Sequence, residues 1–310
     1  MAHFLDQLND AQRIAAEQTE GPVMVIAGAG SGKTRVLTFR IAYLLEKGVD
    51  AFNILSLTFT NKAAREMKSR IGNLVGDTEA KNLWMGTFHS VFARILRSEA
   101  ERLGYPTNFT IYDADDSKKV VANIIKEKQL DKDIYKTKSV ASRISSLKNN
   151  LITPKAYFQN GELQAQDSAA KMPMFGEIYQ AYADRCFRAG CMDFDDLLLK
   201  TNELMYRFPE VLAKYQNRFK YILVDEYQDT NHSQYLIVKA LAAKFENICI
   251  VGDDAQSIYA FRGANIRNIL NFKKDYPNTK LFKLEQNYRS SDSIVQAANS
   301  IIAKNKDQIQ

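Results

Sequence analysis

Apolar and polar residues follow two different patterns along the chain. Short apolar runs, such as VMVIA at 23–27 and YILV at 221–224, separate longer stretches in which apolar residues repeat at helical spacing. Strands that alternate with helices in this way indicate a parallel sheet with helices on both faces. We therefore predict an α/β fold in which ligands bind beyond the carboxyl ends of the strands.

The same pattern places individual elements along most of the chain. A helix capped by Asn9, with Gln12 completing a capping box, precedes the first strand. Asn61 is predicted to cap the helix that follows the second strand. The predicted strands are 23–27, 53–60, 83–87, 221–224, 248–252 and 280–284, and the predicted helices between them include 33–47, 61–75 and 88–103.

The segment from about 113 to 192 follows a different pattern. It contains lysine-rich, mostly helical stretches such as 116–128 and 175–188, a polar segment at 154–171 and no clear strand. Because a strand with an acidic motif returns after it, we interpret the segment as a helical insertion between strands of one sheet. The acidic run at 193–196 is explained by a helix N-terminus, where carboxylates are favourable.

Composition restricts the class of protein only loosely. The net charge of +6 over 310 residues permits a polyanionic partner without requiring one. No signal peptide is visible and no apolar run approaches the ~18 residues of a membrane span, so we expect a cytoplasmic protein without membrane contact. Three cysteines without C-x-x-C spacing favour reduced thiols over disulfides or zinc.

A glycine-rich loop follows the first predicted strand. The stretch AGAGSGKT at 27–34 fits a phosphate-binding loop with alanine at the first glycine position. Its glycines at 28, 30 and 32 allow positive φ angles that turn backbone N–H groups towards a phosphate chain. Lys33 can reach the β- and γ-phosphates and Thr34 can ligate Mg²⁺, so we predict a site for a nucleoside triphosphate.

Polar residues also follow the later strands. Asp225 can hold Mg²⁺ and Glu226 can activate an attacking water, since both come directly after a buried strand. Gln256 follows the next strand, where it can sense the γ-phosphate, and the YAFR residues at 259–262 can stack on or clamp exposed bases. Two interpretations of Gln12 stay open: a partner in the capping box, or a donor and acceptor for an adenine edge.

Seven segments form an ordered set of motifs along the chain. They are LNDAQ at 8–12, AGAGSGKT at 27–34, LTFTNKAAREM at 57–67, GTFHS at 86–90, VDEYQD at 224–229, VGDDAQSIYAFRGA at 251–264 and LEQNYRS at 284–290. Together they resemble the motifs of the UvrD, Rep and PcrA group of superfamily 1 DNA helicases. The resemblance implies an ATP-driven enzyme that moves 3′ to 5′ on single-stranded DNA and separates duplexes at junctions.

The resemblance also implies a domain plan. Residues 1–112 and 193–284 would form a RecA-like ATP-binding domain, a P-loop NTPase fold with a parallel sheet flanked by helices. Residues 113–192 would form a helical insertion subdomain, and 285–310 would begin a second RecA-like domain. No counterpart of the family's motifs V and VI occurs in the 310 residues, so we expect the N-terminal part of a longer enzyme whose C-terminal half is missing.

Individual roles follow from the resemblance. Gln12 would read adenine, Tyr288 would stack on it, and Arg289 would contact the γ-phosphate. The residues implied in catalysis are Lys33, Asp225, Glu226 and Gln256; in ATP binding, Gln12, Ala27, Gly28, Ala29, Gly30, Ser31, Gly32, Lys33, Thr34, Arg35, Tyr288 and Arg289; in Mg²⁺ binding, Thr34 and Asp225; and along the DNA track, Phe59, Asn61, Thr87, His89, Tyr259, Phe261 and Arg262.

Two departures and two competing classes complete the interpretation. Phe261 stands where tryptophan is frequent in the family and should stack somewhat less well. In the family, motif VI supplies an arginine to the ATP site; because this motif is missing here, we expect feeble hydrolysis.

A GTPase should contain N-K-x-D, which NKAA at 61–64 lacks, and a small-molecule kinase leaves the aromatic residues at strand ends unexplained. In a nucleic-acid-binding module that has lost catalysis, the loss would have to come from truncation, because Lys33, Thr34, Asp225 and Glu226 are all present. The pathway and the oligomeric state stay open.

Overall fold

The computed structural model describes residues 3–253 and 267–302. In chain order the strands are β1 (Val23–Ala27), β2 (Ile54–Thr58), β3 (Trp84–Thr87), β4 (Thr110–Tyr112), β5 (Cys191–Asp193), β6 (Tyr221–Val224), β7 (Ile248–Gly252) and β8 (Lys280–Leu284). The helices are α1 (Asp10–Glu17), α2 (Lys33–Glu46), α3 (Asn61–Val75), α4 (Asp77–Asn82), α5 (Phe88–Glu99), α6 (Ala114–Glu127), α7 (Thr137–Asn149), α8 (Pro154–Phe158), α9 (Gly161–Ala169), α10 (Phe175–Arg188), α11 (Phe194–Arg207), α12 (Pro209–Arg218), α13 (His232–Ala242), α14 (Arg267–Leu270), α15 (Phe272–Asp275) and α16 (Asp292–Ile302).

The chain divides into two compact units. The first comprises the described residues before 92 and after 208, and the second is Phe92–Phe208. The second unit contains the predicted insertion of 113–192 and extends beyond it on both sides. The predicted domain boundaries themselves stay a prediction.

The first unit is built on a parallel sheet of six strands in the order β3-β2-β6-β7-β1-β8. Strands β2 and β7 are buried along their whole length, as expected for inner strands of a sheet covered on both faces. The register brings the carboxyl ends of neighbouring strands level, with Thr58 opposite Thr87 and Ile26 opposite Gly252. The predicted RecA-like α/β class is confirmed, and polar residues that follow these strands share one edge.

Helix starts in the first unit follow local capping chemistry. The Asn9 carboxamide oxygen accepts from the Gln12 backbone N–H, and the Gln12 side chain accepts from the Asn9 N–H, so the predicted capping box is confirmed. The cap of α3 is Thr60, whose hydroxyl accepts from the Ala63 N–H at 3.1 Å. The prediction of Asn61 as this cap is wrong by one residue, because Thr60 has the extended backbone of a cap.

The second unit has its own helical core. Side chains from α6, α7 and α10 pack together, including those of Ile124, Ile144 and Tyr179. The polar segment at 154–171, predicted to interrupt the helices, itself forms α8 and α9. Strands β4 and β5 pair in parallel, which the sequence did not indicate because three-residue strands are too short to show a period. Among the described helices, none is long and apolar enough to cross a membrane.

Candidate nucleotide-binding site

The loop at 27–34 joins the carboxyl end of β1 to the first turn of α2. Gly30 (φ +80°) and Gly32 (φ +89°) adopt left-handed conformations that residues with a Cβ rarely adopt. Gly28 does not have a positive φ, so the expected reason for a glycine does not apply there. The Ser31 hydroxyl donates to the Gly28 carbonyl at 2.7 Å and closes the turn.

Lys33 is the buried cation of this loop. Its Nζ lies 3.3 Å from Glu226 Oε2 and 3.7 Å from Asp253 Oδ2, and the residue is 8% exposed. Opposite charges on both sides hold the ammonium at the mouth of the loop, where the α2 N-terminus contributes a partial positive charge. The ammonium and the backbone N–H groups of the α2 N-terminus therefore lie where a phosphate chain would approach.

Thr34 and Asp225 form a hydroxyl–carboxylate pair beside Lys33. The Thr34 hydroxyl donates to Asp225 Oδ2 at 3.2 Å, and the Glu226 N–H donates to Asp225 Oδ1 at 3.0 Å. Asp225 is 4% exposed, and burial together with the charge of Glu226 raises its pKa to about 6. A hydroxyl oxygen beside a buried carboxylate is a donor set that suits Mg²⁺, so these residues fit the metal that was predicted here.

Glu226 is oriented by a residue that the sequence analysis missed. Gln228, which is buried, donates from Nε2 to Glu226 Oε2 at 2.9 Å, and its Oε1 accepts from the Asp253 N–H at 3.0 Å. Glu226 itself has a left-handed backbone (φ +48°), a strain that proteins retain mainly at functional positions. The sequence contained a signal for this contact, since Gln228 follows β6 and Asp253 follows the neighbouring strand β7.

Sheet order explains why these groups meet. Strand β7 lies between β6, which leads to the acidic pair, and β1, which leads to the phosphate loop. The residues following all three strands therefore share the carboxyl edge of the sheet. In this arrangement the carboxylates of Asp225 and Glu226 face Thr34 and Lys33 although about 190 residues separate them in sequence.

The segment after β8 lies against the phosphate loop. The Tyr288 N–H donates to the Gly30 carbonyl at 2.9 Å, and Asn287 Nδ2 donates to the Ala29 carbonyl at 2.6 Å. A Cβ added to Gly30 would come within 2.6 Å of Arg289 Cβ. Two consecutive loop carbonyls thus anchor Asn287 and Tyr288, and Tyr288 is the residue predicted to contact adenine. The contribution of Asn287 was not anticipated from the sequence.

Gln12 completes the capping box, which was one of its two interpretations, and it also contacts the phosphate loop. Beyond its place in the capping box, its Nε2 donates to the Ser31 carbonyl at 3.0 Å. A Cβ at Gly32 would lie 2.6 Å from the same Nε2, so the side chain packs directly on the loop. Contact with adenine stays a prediction.

A cleft of about 520 Å³ opens over the loop, and its size is typical of small-molecule sites. Helix α3 contributes one wall, which the motif analysis did not assign to the nucleotide. Arg35, at the rim, donates to the Gln7 carbonyl at 2.8 Å and lies over the Phe39 ring. The lining residues are Ala29, Gly30, Gly32, Lys33, Thr34, Arg35, Ala63, Glu66, Arg70, Glu226, Tyr288 and Arg289.

The residues predicted along the DNA track follow β2 and β3, the two strands at one side of the sheet. Phe59 is half-buried and its ring lies 5.5 Å from that of Phe88, which is buried in the core. Asn61 is exposed, Thr87 and His89 are half-buried, and burial lowers the pKa of His89. The other predicted positions, Gln256, Tyr259, Phe261 and Arg262, lie outside the described residues.

The parallel sheet, with the phosphate loop and the acidic pair at its carboxyl edge, defines a RecA-like phosphate-loop NTPase fold. The family model of the UvrD/REP helicase N-terminal domain matches residues 8–277. The chain belongs to the UvrD/REP helicase family through that domain, and the resemblance drawn from its motifs is confirmed.

Curated relatives are proteins named ATP-dependent DNA helicase PcrA. The chain is 50% identical to the protein of Staphylococcus aureus and 49% identical to that of Staphylococcus epidermidis, in each case over 308 residues. These residues are 99% of this chain but 41% of each relative. The chain thus spans less than half the length of the relatives it matches.

Proposed function

We propose that the chain binds ATP with Mg²⁺ and single-stranded DNA, as part of an ATP-dependent DNA helicase that moves 3′ to 5′. The observation that carries the proposal is the pairing of Lys33 and Thr34 with Glu226 and Asp225 at distances of 3.3 and 3.2 Å. The names of the relatives support the helicase activity. The DNA substrate would be single strands and their junctions with duplex.

In this proposal the phosphate loop binds the triphosphate through its backbone N–H groups and Lys33. The ammonium of Lys33 would exchange its contact with Glu226 for phosphate oxygens, which releases the Glu226 carboxylate for a water molecule. Thr34 and Asp225 would hold Mg²⁺, which supplies charge neutralisation at the phosphates. Gln228 keeps Glu226 in place, and Gln256 would contact the γ-phosphate.

The base of the nucleotide would lie at the rim of the cleft. Gln12 and Tyr288 are proposed to contact adenine, with Arg35 beside it and Arg289 directed to the phosphates. Support comes from the places of Arg35, Tyr288 and Arg289 on one cleft, and from the hydrogen bonds that tie Gln12 and Tyr288 to consecutive loop residues. Aromatic stacking and an amide edge are together suited to a purine.

Single-stranded DNA is proposed to cross the ends of β2 and β3. Phe59, Asn61, Thr87 and His89 offer an aromatic ring, an amide, a hydroxyl and a neutral imidazole there. Tyr259, Phe261 and Arg262 would continue this track. Such a mixture binds strands with little sequence preference, because every base has a face on which an aromatic ring can stack.

Exchange of Lys33 for alanine tests the nucleotide site. Lys33→Ala should weaken ATP binding by about 10- to 100-fold, since it removes a charged hydrogen-bond donor, and should leave affinity for an oligonucleotide nearly unchanged. Lys47→Ala, an exposed lysine at the end of the same helix, is the matched control. Parallel titrations with ATP and with a single-stranded oligonucleotide measure both; equal loss of the two affinities contradicts separate sites.

A further inference from the structure

Asn9 links two segments of the candidate nucleotide site, the start of α1 and residues 286–288. Its Oδ1 accepts from the Gln12 backbone N–H at 2.8 Å and caps α1, while its Nδ2 donates to the Tyr288 hydroxyl at 2.6 Å. The Tyr288 hydroxyl donates in turn to Gln286 Oε1 at 2.8 Å. One amide therefore caps a helix and holds an aromatic side chain that is 279 residues away in sequence.

Tyr288 is thereby anchored at both ends. Its backbone N–H is held by the Gly30 carbonyl and its hydroxyl by Asn9. The residue is nevertheless 57% exposed and lines the cleft above the phosphate loop. An exposed tyrosine ordinarily samples several side-chain rotamers, so the two anchors restrict a ring that packing alone leaves free.

We propose that Asn9 is a positioning residue that holds the Tyr288 ring in place for the base of bound ATP. This inference rests on the proposed function and adds a residue to which no motif assigned a role towards the nucleotide. Asn9 acts through Tyr288 and does not itself need to touch the nucleotide. A ring ordered before binding costs less entropy when the base stacks on it, so affinity rises.

The chemistry of the carboxamide separates this role from capping. A helix cap requires only an acceptor, which serine and aspartate supply as well as asparagine. The bond to Tyr288 requires a side chain long enough to reach the hydroxyl. Asn9→Ser retains the cap and loses the reach. Asn9→Asp retains the cap and offers a carboxylate oxygen that can accept the single Tyr288 hydroxyl proton in place of Gln286.

The experiment compares ATP with inorganic tripolyphosphate, both with Mg²⁺, by calorimetric titration of the whole chain. Asn9→Ser should weaken ATP binding by about 3- to 10-fold, the loss expected for one hydrogen bond, and leave tripolyphosphate binding unchanged. Asn9→Asp should remain close to the unmodified chain. The double variant Asn9→Ser/Tyr288→Phe should bind ATP no more weakly than Tyr288→Phe, because both changes remove the same hydrogen bond.

A matched control is available in the second unit. Asn160 caps α9 by accepting from the Glu162 and Leu163 N–H groups, so Asn160→Ser makes the same exchange at a cap that is not among the residues lining the cleft. It should leave ATP affinity unchanged.

Unchanged ATP affinity in Asn9→Ser, equal loss of tripolyphosphate, or additive effects in the double variant would each overturn the role of Asn9. An unmodified chain that binds tripolyphosphate as tightly as ATP would overturn it too, while leaving the phosphate site intact. If the unmodified chain binds neither ligand, the proposed function itself fails, and with it this inference.

Discussion

Two glycines in the phosphate loop differ in what a side chain would meet. At Gly30, where φ is +80°, a Cβ would lie 2.6 Å from Arg289 Cβ and 2.9 Å from Asn287 Oδ1. At Gly28, where φ is not positive, a Cβ would meet nothing within 4 Å. The need for glycine is therefore specific to the position, although the motif contains both.

Exchange of each glycine for alanine should separate these two cases. Gly30→Ala should lower the free energy of unfolding by about 1–2 kcal/mol from the left-handed conformation alone, and it should displace the 285–290 segment. Gly28→Ala should unfold at nearly the temperature of the unmodified chain. Thermal unfolding followed by circular dichroism measures both, and similar losses for the two variants would contradict the difference in geometry.

At the scale of elements, the second unit contains a buried ion cluster that joins three of them. Lys148 of α7 is 2% exposed and its Nζ lies 2.7 Å from Asp193 Oδ2, at the end of β5, and 2.8 Å from Asp196 Oδ1 in α11. The Tyr182 hydroxyl also donates to Asp193 Oδ2 at 2.7 Å. Burial alone would lower the pKa of Lys148, but the two carboxylates raise it well above its usual value.

Removal of the cation from this cluster should loosen the second unit. Lys148→Met leaves two buried carboxylates without their partner, which typically destabilises by about 3–5 kcal/mol. Hydrogen–deuterium exchange should show lost protection in α7 and α11. Lys138→Met, at an exposed position in the same helix, should show no such loss. Unchanged protection in Lys148→Met would show that the cluster does not hold these helices together.

The destabilisation should depend on pH with a defined sign. Burial, with the charge of Asp193, already raises the pKa of Asp196 to about 6, and Lys148 opposes that rise. Without Lys148 the pKa of Asp196 should rise further above its unfolded value of about 3.9. A carboxyl group raised in this way favours folding when protonated, so Lys148→Met should regain stability as the pH falls. Urea unfolding should show a smaller deficit at pH 5 than at pH 8.

For the whole molecule, the predicted activity takes into account that the chain spans 41% of the length of the relatives it matches. An arginine supplied to the phosphates accelerates phosphoryl transfer by ~10³ to 10⁵ in P-loop enzymes, and the seven motifs of the sequence analysis do not include the one expected to supply it. We expect this chain to bind ATP and single-stranded DNA, to hydrolyse ATP slowly and not to separate duplexes.

Phosphate release with and without single-stranded DNA, and strand separation on a duplex with a 3′ tail, measure these activities. Glu226→Gln supplies the background rate, since it removes the proposed water-activating carboxylate. Robust DNA-stimulated turnover by the 310-residue chain, well above that background, would contradict the expectation.

Local sequence patterns predicted much of this architecture. Apolar runs of four or five residues predicted β1, β6 and β7 to the residue, because a buried strand needs a continuous apolar run and turn residues to end it. The phosphate loop and the acidic pair were equally visible, since each motif is contiguous and directly follows a strand. The three-residue strands β4 and β5 were missed because so few residues carry no period.

Contacts between distant segments had no such local signal. The order β6-β7-β1 places Asp225 beside Thr34 and lets Gln228 bridge Glu226 to Asp253, yet no spacing in the chain specifies which strands are neighbours. A periodic pattern reports which face of an element is buried, whereas its partner depends on how all the buried faces pack together. The local sequence therefore determines which chemical groups the site contains, and the packing of the folded chain determines which of them are in contact.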